Sequence, residues 1–450
     1  MNKRLHKIID SMMEQQIEDL QALLRIPSVS RGEPQPGMPL GEAMDAALGQ
    51  ALALAWRLGF TRIQNLDGLC GTIDFGEVEE MLGVLAHLDV VPAGEGWDHP
   101  PFGAEIHHGR IYARGVVDNK GPAVSALYAL AAVREAGVPL TRRVRIILGC
   151  DEEIGWSCID RYKQTEPDPD LAFSPDAEYP VVNCERGILQ VRYEKNYRSG
   201  LRIHCGTAAN VIPGSASATL PLPALPCPLP TGLSGRFAAH MVEVTGRGGH
   251  ASKPELAANA LQGLLQALAM QELPGEDQAA IRALAVLFSM DQHGESMGID
   301  TTDDSGRLSL APTVLRADQS GIALEMDCRY PHSQTTESLL ATWDGLFAAA
   351  GFVRTQTRNT PGHLVPLGSE LVTGLLKVYT QYMGKEARPL AIGGGTYARA
   401  FRGAVGFGPV PAGEASQCHM PNESMSLGEI RTNTILLAEA ICELAGTKKD

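Results

Sequence analysis

The chain has 450 residues, enough for about three compact units with an ample hydrophobic core. Its 38 Lys and Arg against 52 Asp and Glu give a net charge of -14, a field that repels phosphate backbones and anionic lipid surfaces. We therefore expect no nucleic-acid partner and no membrane partner. The N-terminal residues lack the apolar stretch of a signal peptide, and the cysteines include no Cys-x-x-Cys pair, so we expect a cytoplasmic protein with reduced thiols.

The first 180 residues predict alternating strands and helices. Short apolar runs at 81–86, 144–148 and 171–173 predict buried strands. Residues 122–136 predict a helix, because a proline opens the segment and apolar residues recur at a helical period. This alternation is typical of an α/β domain with a mostly parallel sheet.

After about residue 185 the pattern changes to strand-like stretches at 187–193, 237–244 and 322–330, with one helix predicted at 255–270. We predict an inserted α+β domain over residues 185–383. A proline-rich segment within it, 221–230, is expected to be an extended surface connection, because proline disrupts both helices and central strands.

The α/β pattern returns near the C-terminus, with an apolar stretch at 404–407 and an amphipathic helix at 427–444. The catalytic domain is therefore predicted to be discontinuous, built from residues 1–184 and 384–450.

Acidic and histidine residues follow each of the predicted strands of the first domain. In open α/β sheets such strand ends form binding sites. Each cluster alone is commonplace, but together they supply the imidazoles and carboxylates that a pair of borderline divalent cations requires. The chain has no His-Glu-x-x-His motif, which favours a two-metal hydrolytic site. The clusters are His87 with Asp89, Asp118 before the helix, Asp151 to Glu153, and Asp176.

Several long motifs resemble those of the M20 family of metallopeptidases, and are most similar to its bacterial dipeptidases of the PepV type. The resemblance extends over nearly the whole chain. The motifs are HLDVVP at 87–92, GRIYARG at 109–115, DNKG at 118–121, DEEIG at 151–155, SPDAEYP at 174–180 and GGGTYAR at 393–399.

The resemblance implies a zinc-exopeptidase-like catalytic domain that carries two Zn²⁺ ions, for which Mn²⁺ or Co²⁺ can substitute. One ion is held by His87 and Asp176, the other by Glu153 and His419, with Asp118 bridging both. His419 is identified by the Asn and Glu that follow it three and four residues later. The resemblance also implies a cis peptide between Asp118 and Asn119.

Glu152 is implied as the general base, next to the ligand Glu153. A base that takes a proton from water activated by the ions should stand beside them without being bound. Asp89 fits a supporting catalytic role, since a carboxylate two residues from a liganding imidazole can accept its second N–H.

The inserted domain is implied to be a ferredoxin-like lid that touches the substrate. His250, within GRGGHAS at 246–252, resembles the lid histidine over the substrate carbonyl. Asn210 and Arg329 match substrate-binding positions, and backbone N–H groups at Gly394, Gly395 and Thr396 are expected near the substrate carboxylate.

The function predicted from these residues is a dipeptidase that hydrolyses small dipeptides with free termini. The alternatives are an N-acyl-amino-acid deacylase or aminopeptidase of the same family, and a non-catalytic ligand-binding relative. We expect a monomer whose His250 acts in its own subunit, because the inserted domain is as large as those of the PepV-like members. His99, His107 and His108 are expected to be surface residues outside the site.

Overall fold

A computed structural model describes residues 1–29, 32–411, 413–414 and 417–447. The chain divides into two units. The first unit contains Met1–Asn183, Leu364–Leu390 and Thr396–Asp450, and the second contains Cys184–His363 and Ala391–Gly395. The first unit is therefore built from separate stretches of the chain.

The central sheet of the first unit is parallel in its middle. Met81–His87 pairs in parallel with Arg143–Gly149 on one side and with Leu171–Ser174 on the other, and Ala404–Gly406 extends the parallel run. On the opposite flank Cys70–Phe75 pairs antiparallel with Arg143–Gly149. Every residue of Met81–His87 is buried, as expected for a strand covered on both faces. The predicted α/β fold is confirmed, with antiparallel strands flanking the parallel centre.

The helices of the first unit pack around this sheet. Lys120–Glu135 is buried from Lys120 to Val133, which fits a central helix that packs against the first and last helices of the chain. The last helix begins at a capping box, in which Ser426 and Glu429 satisfy each other's backbone N–H groups. The remaining helices are Lys3–Leu24, Glu42–Arg57, Ser157–Thr165, Glu370–Met383 and Leu427–Ala445, with a 3-10 turn at Tyr397–Ala400.

Further short strands belong to the first unit or lie where the chain passes from one unit to the other. Glu105–His107 and Arg110–Tyr112 form a hairpin to which Ser424–Ser426 adds an antiparallel strand. The others are Arg62–Leu66, Ala177–Glu178, Val182–Glu185, His363–Leu364, Leu390–Ile392 and Pro409–Val410.

The second unit begins where predicted but ends about twenty residues earlier than the predicted boundary at 383. The helix Glu370–Met383 belongs to the first unit. Its residues Leu371, Leu375 and Val378 are buried in the core of that unit, where the helix packs against Leu427–Ala445. The apolar periodicity of this segment predicts a helix in either domain, so sequence pattern alone does not assign it.

The second unit is an antiparallel sheet with helices, the α+β arrangement that the sequence predicts. Residues of Gly187–Asn196 alternate between buried and partly exposed, so one face of the sheet is covered. The helices are Ala260–Ala269, Gly275–Leu287 and Thr336–Ala349. In spatial order the strands are Ser234–Ala238, Met241–Thr245, Ser215–Thr219, Arg202–Cys205, Ser309–Asp318, Gly321–Tyr330, Gly187–Asn196 and Val353–Thr360. Shorter strands lie at Val211–Ile212, Gly249–His250, Thr302–Asp303 and Gly306–Arg307, and 3-10 turns at Pro254–Leu256 and Glu295–Met297.

Two predicted elements of the second unit differ from the structure. The single stretch predicted at 237–244 is a hairpin, whose strands are separated by a turn in which Ala239 has a φ of 48°. The helix predicted to start at 255 starts at Ala260, because the Asn259 side chain caps it. The proline-rich segment 221–230 has neither helix nor strand, as predicted.

None of the helices in the described part of the chain combines the length and the apolar character needed to cross a bilayer.

Candidate metal centre

Three neighbouring strands of the first unit place the predicted ligands at one edge of the sheet. His87 is the last residue of Met81–His87, while Glu153 follows Arg143–Gly149 and Asp176 follows Leu171–Ser174. These strands are parallel neighbours, so their carboxyl ends meet.

One group of donor atoms consists of His87, Asp118 and Asp176. The Nε2 atom of His87 lies 3.0 Å from Asp118 Oδ1 and 3.8 Å from Asp176 Oδ1. The His87 imidazole is fully buried, and Asp118 is nearly so. These three side chains can contribute one ligand atom each to a single ion.

A second group consists of Asp118, Glu153 and His419. The Nε2 atom of His419 lies 3.1 Å from Asp118 Oδ2 and 3.1 Å from Glu153 Oε2. Asp118 is thus common to both groups, and its two carboxylate oxygens face different imidazoles. This is the arrangement expected of a carboxylate that bridges two ions.

The donor geometry fits divalent cations of the zinc type. Two ligands that each lie about 2.0 to 2.2 Å from one ion are separated by roughly 3 to 3.5 Å, which is close to the observed spacings. The donors are imidazole nitrogens and carboxylate oxygens, which suit borderline cations. Additional acidic residues, Glu152 and Asp89, lie beside the ligands, so the pocket concentrates negative charge that two cations would offset.

A model of peptidase family M20/M25/M40 matches residues 83–443, which is most of the chain. The chain belongs to this family. It is accordingly a peptide hydrolase, and the identity proposed from the sequence motifs is confirmed at family level.

Curated relatives match over nearly their whole length. The chain is 36% identical to the Bacillus subtilis (strain 168) protein named "Putative dipeptidase YtjP", over 96% of this chain and 97% of that protein. It is 33% identical to the Beta-Ala-Xaa dipeptidase of Lactobacillus delbrueckii subsp. lactis, with 99% of both chains covered. Among solved structures, human carnosine dipeptidase 1 shares the M20 fold with a TM-score of 0.62, at 16% identity over 98% of both chains.

Asp89 contacts His87 with its carboxylate and with its backbone. The atom nearest to His87 Nδ1 in this residue is its backbone carbonyl oxygen, at 3.0 Å, while the carboxylate lies at 3.4 Å. The carboxylate also accepts the backbone N–H groups of Glu152 and Glu153, at 3.1 and 3.0 Å. Asp89 therefore orients the imidazole and also fixes the turn that carries both glutamates.

Asn119 joins two of the strand ends. Its Nδ2 atom donates to Pro175 O at 2.7 Å and to Asp176 Oδ1 at 3.3 Å, while its Oδ1 accepts the backbone N–H of His87 at 3.3 Å. The peptide between Asp118 and Asn119 is cis, as predicted.

The sequence motifs gave no separate role to Glu423, which the structure places behind Asp118. This side chain is fully buried, and its Oε2 accepts from Arg114 Nη1 at 2.7 Å. Its carboxylate also accepts backbone N–H groups of Gly115, Val117 and Asp118. Glu423 thereby ties the His419 segment to the loop that presents Asp118. The spacing of Glu423 from His419 was the available signal, but it does not identify these partners.

The pKa values of the site reflect crowded carboxylates. Burial raises the pKa of Glu152 well above its ordinary value, and the negative charges of Asp176, Glu153 and Asp118 raise it further against an opposing effect of His87. Hydrogen bonds to His419 and His87 outweigh burial and lower the pKa of Asp118. Hydrogen bonds to Asp118 and Glu153 raise the pKa of His419 to about 10.

We expect zinc binding to release protons. In protein stripped of metal by chelation, His419 is protonated at pH 7 because its pKa is about 10, whereas a zinc ligand must be the neutral imidazole. Zinc affinity should therefore rise as the pH increases from 7 towards 10 and fall below pH 7. Calorimetry of zinc binding in buffers of different ionisation enthalpy measures the protons released. His419→Ala should release fewer, and equal release would contradict the assignment.

Of the remaining predicted site residues, Thr396 belongs to the first unit and the others belong to the second. Arg329 pairs with Asp327 through Nε at 2.6 Å and Nη2 at 3.1 Å, and its Nη1 donates to Gly393 O at 3.0 Å. These bonds use three of the five N–H donors of the guanidinium and fix it against the glycine run.

His250 and Asn210 are brought together by a short strand pair in the second unit. His250 pairs with Val211, and the backbone carbonyl of Asn210 accepts the N–H of Ala251 at 2.9 Å. The His250 Nδ1 atom accepts the backbone N–H of Ser252 at 3.1 Å, which orients the imidazole. Thr396, in the first unit, caps a 3-10 turn with its side chain.

Proposed function

We propose that this M20 enzyme is a cytoplasmic, two-zinc dipeptidase for small dipeptides with free N- and C-termini. The observation that carries the proposal is that the two oxygens of Asp118 face His87 and His419, at 3.0 and 3.1 Å. Asp176 completes one donor group and Glu153 the other. Two ions bound there would supply Lewis acidity, which lowers the pKa of a water molecule and polarises the scissile carbonyl.

Glu152 acts as the general base in this proposal. It accepts a proton from the attacking water and delivers it to the nitrogen of the leaving amine as the amide bond breaks. Burial raises the pKa of Glu152, and this favours the first transfer, because a more basic carboxylate takes a proton from water more readily. Asp89 holds the backbone of Glu152 in place and is a positioning residue.

Residues of the second unit bind the rest of the substrate in this proposal. His250 and Asn210 stabilise the negative charge that develops on the carbonyl oxygen. Arg329 and the backbone at Gly394, Gly395 and Thr396 hold the C-terminal carboxylate. This restricts the substrate to one residue after the scissile bond, so peptides that are longer on that side should not be cleaved.

A substrate screen tests the proposed function. The protein is loaded with Zn²⁺, Mn²⁺ or Co²⁺ and incubated with α-dipeptides, a β-alanyl dipeptide, a tripeptide and N-acetyl amino acids. We expect turnover of dipeptides. We expect little turnover of the tripeptide, which is too long, or of the N-acetyl amino acids, which lack a free amino group. Preference for N-acetyl amino acids would favour a deacylase, preference for the tripeptide an aminopeptidase, and no turnover with any metal a binding protein.

Arg329→Ala should lower kcat/KM for dipeptides far more than for the same dipeptides with a C-terminal amide. A charge-assisted bond to a free carboxylate contributes roughly 1.5 to 3 kcal/mol, and an amide cannot form it. The measurement is kcat/KM for matched acid and amide substrates. Arg329 also pairs with the buried Asp327, so the variant could lose folded protein. Such a loss would lower kcat/KM for the acid and for the amide by the same factor, which distinguishes it from a loss of carboxylate binding. An unchanged acid-to-amide ratio would contradict the carboxylate role.

We expect a catalytically competent monomer with His250 acting in its own subunit. Mixing inactive His250→Ala with inactive Glu152→Gln tests this, because subunits that share sites would rebuild complete ones by exchange. The activity of the mixture should remain at the level of the separate variants. Substantial recovery of activity would contradict the expectation.

A further inference from the structure

A separate cluster of two histidines and one glutamate lies on the surface of the first unit. Glu105 and His107 project from the same face of the strand Glu105–His107, because side chains two residues apart share a face. His99 comes from the preceding loop. One ligand atom from each of the three residues lies within 4.8 Å of the others.

The contacts within this cluster bring the donors together. His107 Nε2 lies 2.8 Å from Glu105 Oε2, and His99 Nδ1 lies 3.7 Å from the same oxygen. The two imidazole rings stack at 4.2 Å between centroids, and Tyr112 packs against the His99 ring at 4.4 Å. All three donor side chains are partly exposed, so solvent and dissolved ions reach them.

We propose that His99, Glu105 and His107 form a third metal site, separate from the centre built on Asp118, that binds a borderline divalent cation such as Zn²⁺ or Ni²⁺. The donor set is two imidazoles and one carboxylate, which prefers these cations to Ca²⁺ or Mg²⁺. Three protein donors leave positions for water, so the site is an open surface site. The cation links the 92–101 loop to the hairpin. None of these three residues belongs to the proposed dipeptidase machinery.

Equilibrium dialysis with elemental analysis tests the proposal. Wild-type protein and His107→Gln are dialysed against the same free Zn²⁺ concentration, at which the wild type is saturated. The matched control is His108→Asn, which removes the neighbouring exposed imidazole. Asparagine suits this position because it readily adopts the positive φ of 50° that His108 has. We expect His107→Gln to lose about one equivalent of zinc relative to the wild type, and His108→Asn to lose none.

Further measurements separate this site from the dipeptidase centre. His99→Gln should lose the same equivalent as His107→Gln, and both should retain dipeptide turnover. Zinc should raise the melting temperature less in these variants than in the wild type, because ligand binding to the folded state stabilises it. Equal zinc content in the wild type and both variants would overturn the proposal, and the cluster would then be only an ion pair. Lost turnover with unchanged zinc content would overturn it too.

Discussion

Glu152→Gln is expected to lower kcat by about 10² to 10⁴ while both metal ions stay bound, because a positioned acid or base contributes that much and glutamine cannot accept the proton. The backbone N–H of residue 152 still donates to Asp89, so the turn is kept. KM should change far less than kcat, since the side chain is not proposed to hold the substrate. Steady-state kinetics and elemental analysis on the same preparation measure both quantities.

Glu153→Gln is the matched control, as it makes the same chemical change one residue away. Glu153 lies 3.1 Å from His419 Nε2 and belongs to a donor group, so this variant should lose metal, and added metal should partly restore activity. Glu152→Gln should show neither effect. If Glu152→Gln loses metal as readily as Glu153→Gln, or keeps full activity, the assignment of the base is wrong.

The pH dependence of kcat/KM in the wild type and in Glu152→Gln is a further test of the base. If Glu152 is the base, kcat/KM should rise with pH along an acidic limb that reports its ionisation in the free enzyme. The limb should be absent from the residual activity of Glu152→Gln. A limb that persists unchanged would assign it to another group.

The parts of the fold that follow from local pattern were predicted from the sequence. The buried strand Met81–His87 and the helix Lys120–Glu135 carry unbroken signals over many residues, and the structure confirms them to within a few residues. The turn at Ala239 could not be found this way, since apolar alternation continues through it. The helix Glu370–Met383 was placed in the wrong unit because periodicity reports an apolar face and not its partner.

The candidate ligands were proposed from strand ends and motif spacing, whereas the contacts that support those side chains could not be predicted. Glu423 binds backbone N–H groups more than 300 residues away in the chain, and no local pattern marks such a contact. The backbone carbonyl of Asp89, which lies closest to His87 Nδ1, is equally invisible in the sequence. What sequence supplies is the identity of the donors, and what the structure adds is which atom of each donor faces which partner.

Asp118→Ala should remove both metal ions, whereas His419→Ala should leave one. Two dications about 3.5 to 4 Å apart repel each other by roughly 17 kcal/mol at an effective dielectric constant of about 20. A carboxylate that bridges them offsets this repulsion for both at once. Asp118 lies 3.0 Å from His87 and 3.1 Å from His419, so its removal takes a ligand from each donor group.

Elemental analysis after dialysis should therefore return about two equivalents for the parent protein that keeps both residues, about one when His419→Ala is added and close to none when Asp118→Ala is added. These counts are taken in a His107→Gln background, so that zinc on the surface cluster does not mask the difference. His419→Ala keeps the donor group of His87, Asp118 and Asp176, of which His87 is fully buried and therefore well fixed. Circular dichroism checks that both variants fold. Equal metal loss in the two folded variants would mean that Asp118 does not bridge, and each ion would then need its own separate carboxylate.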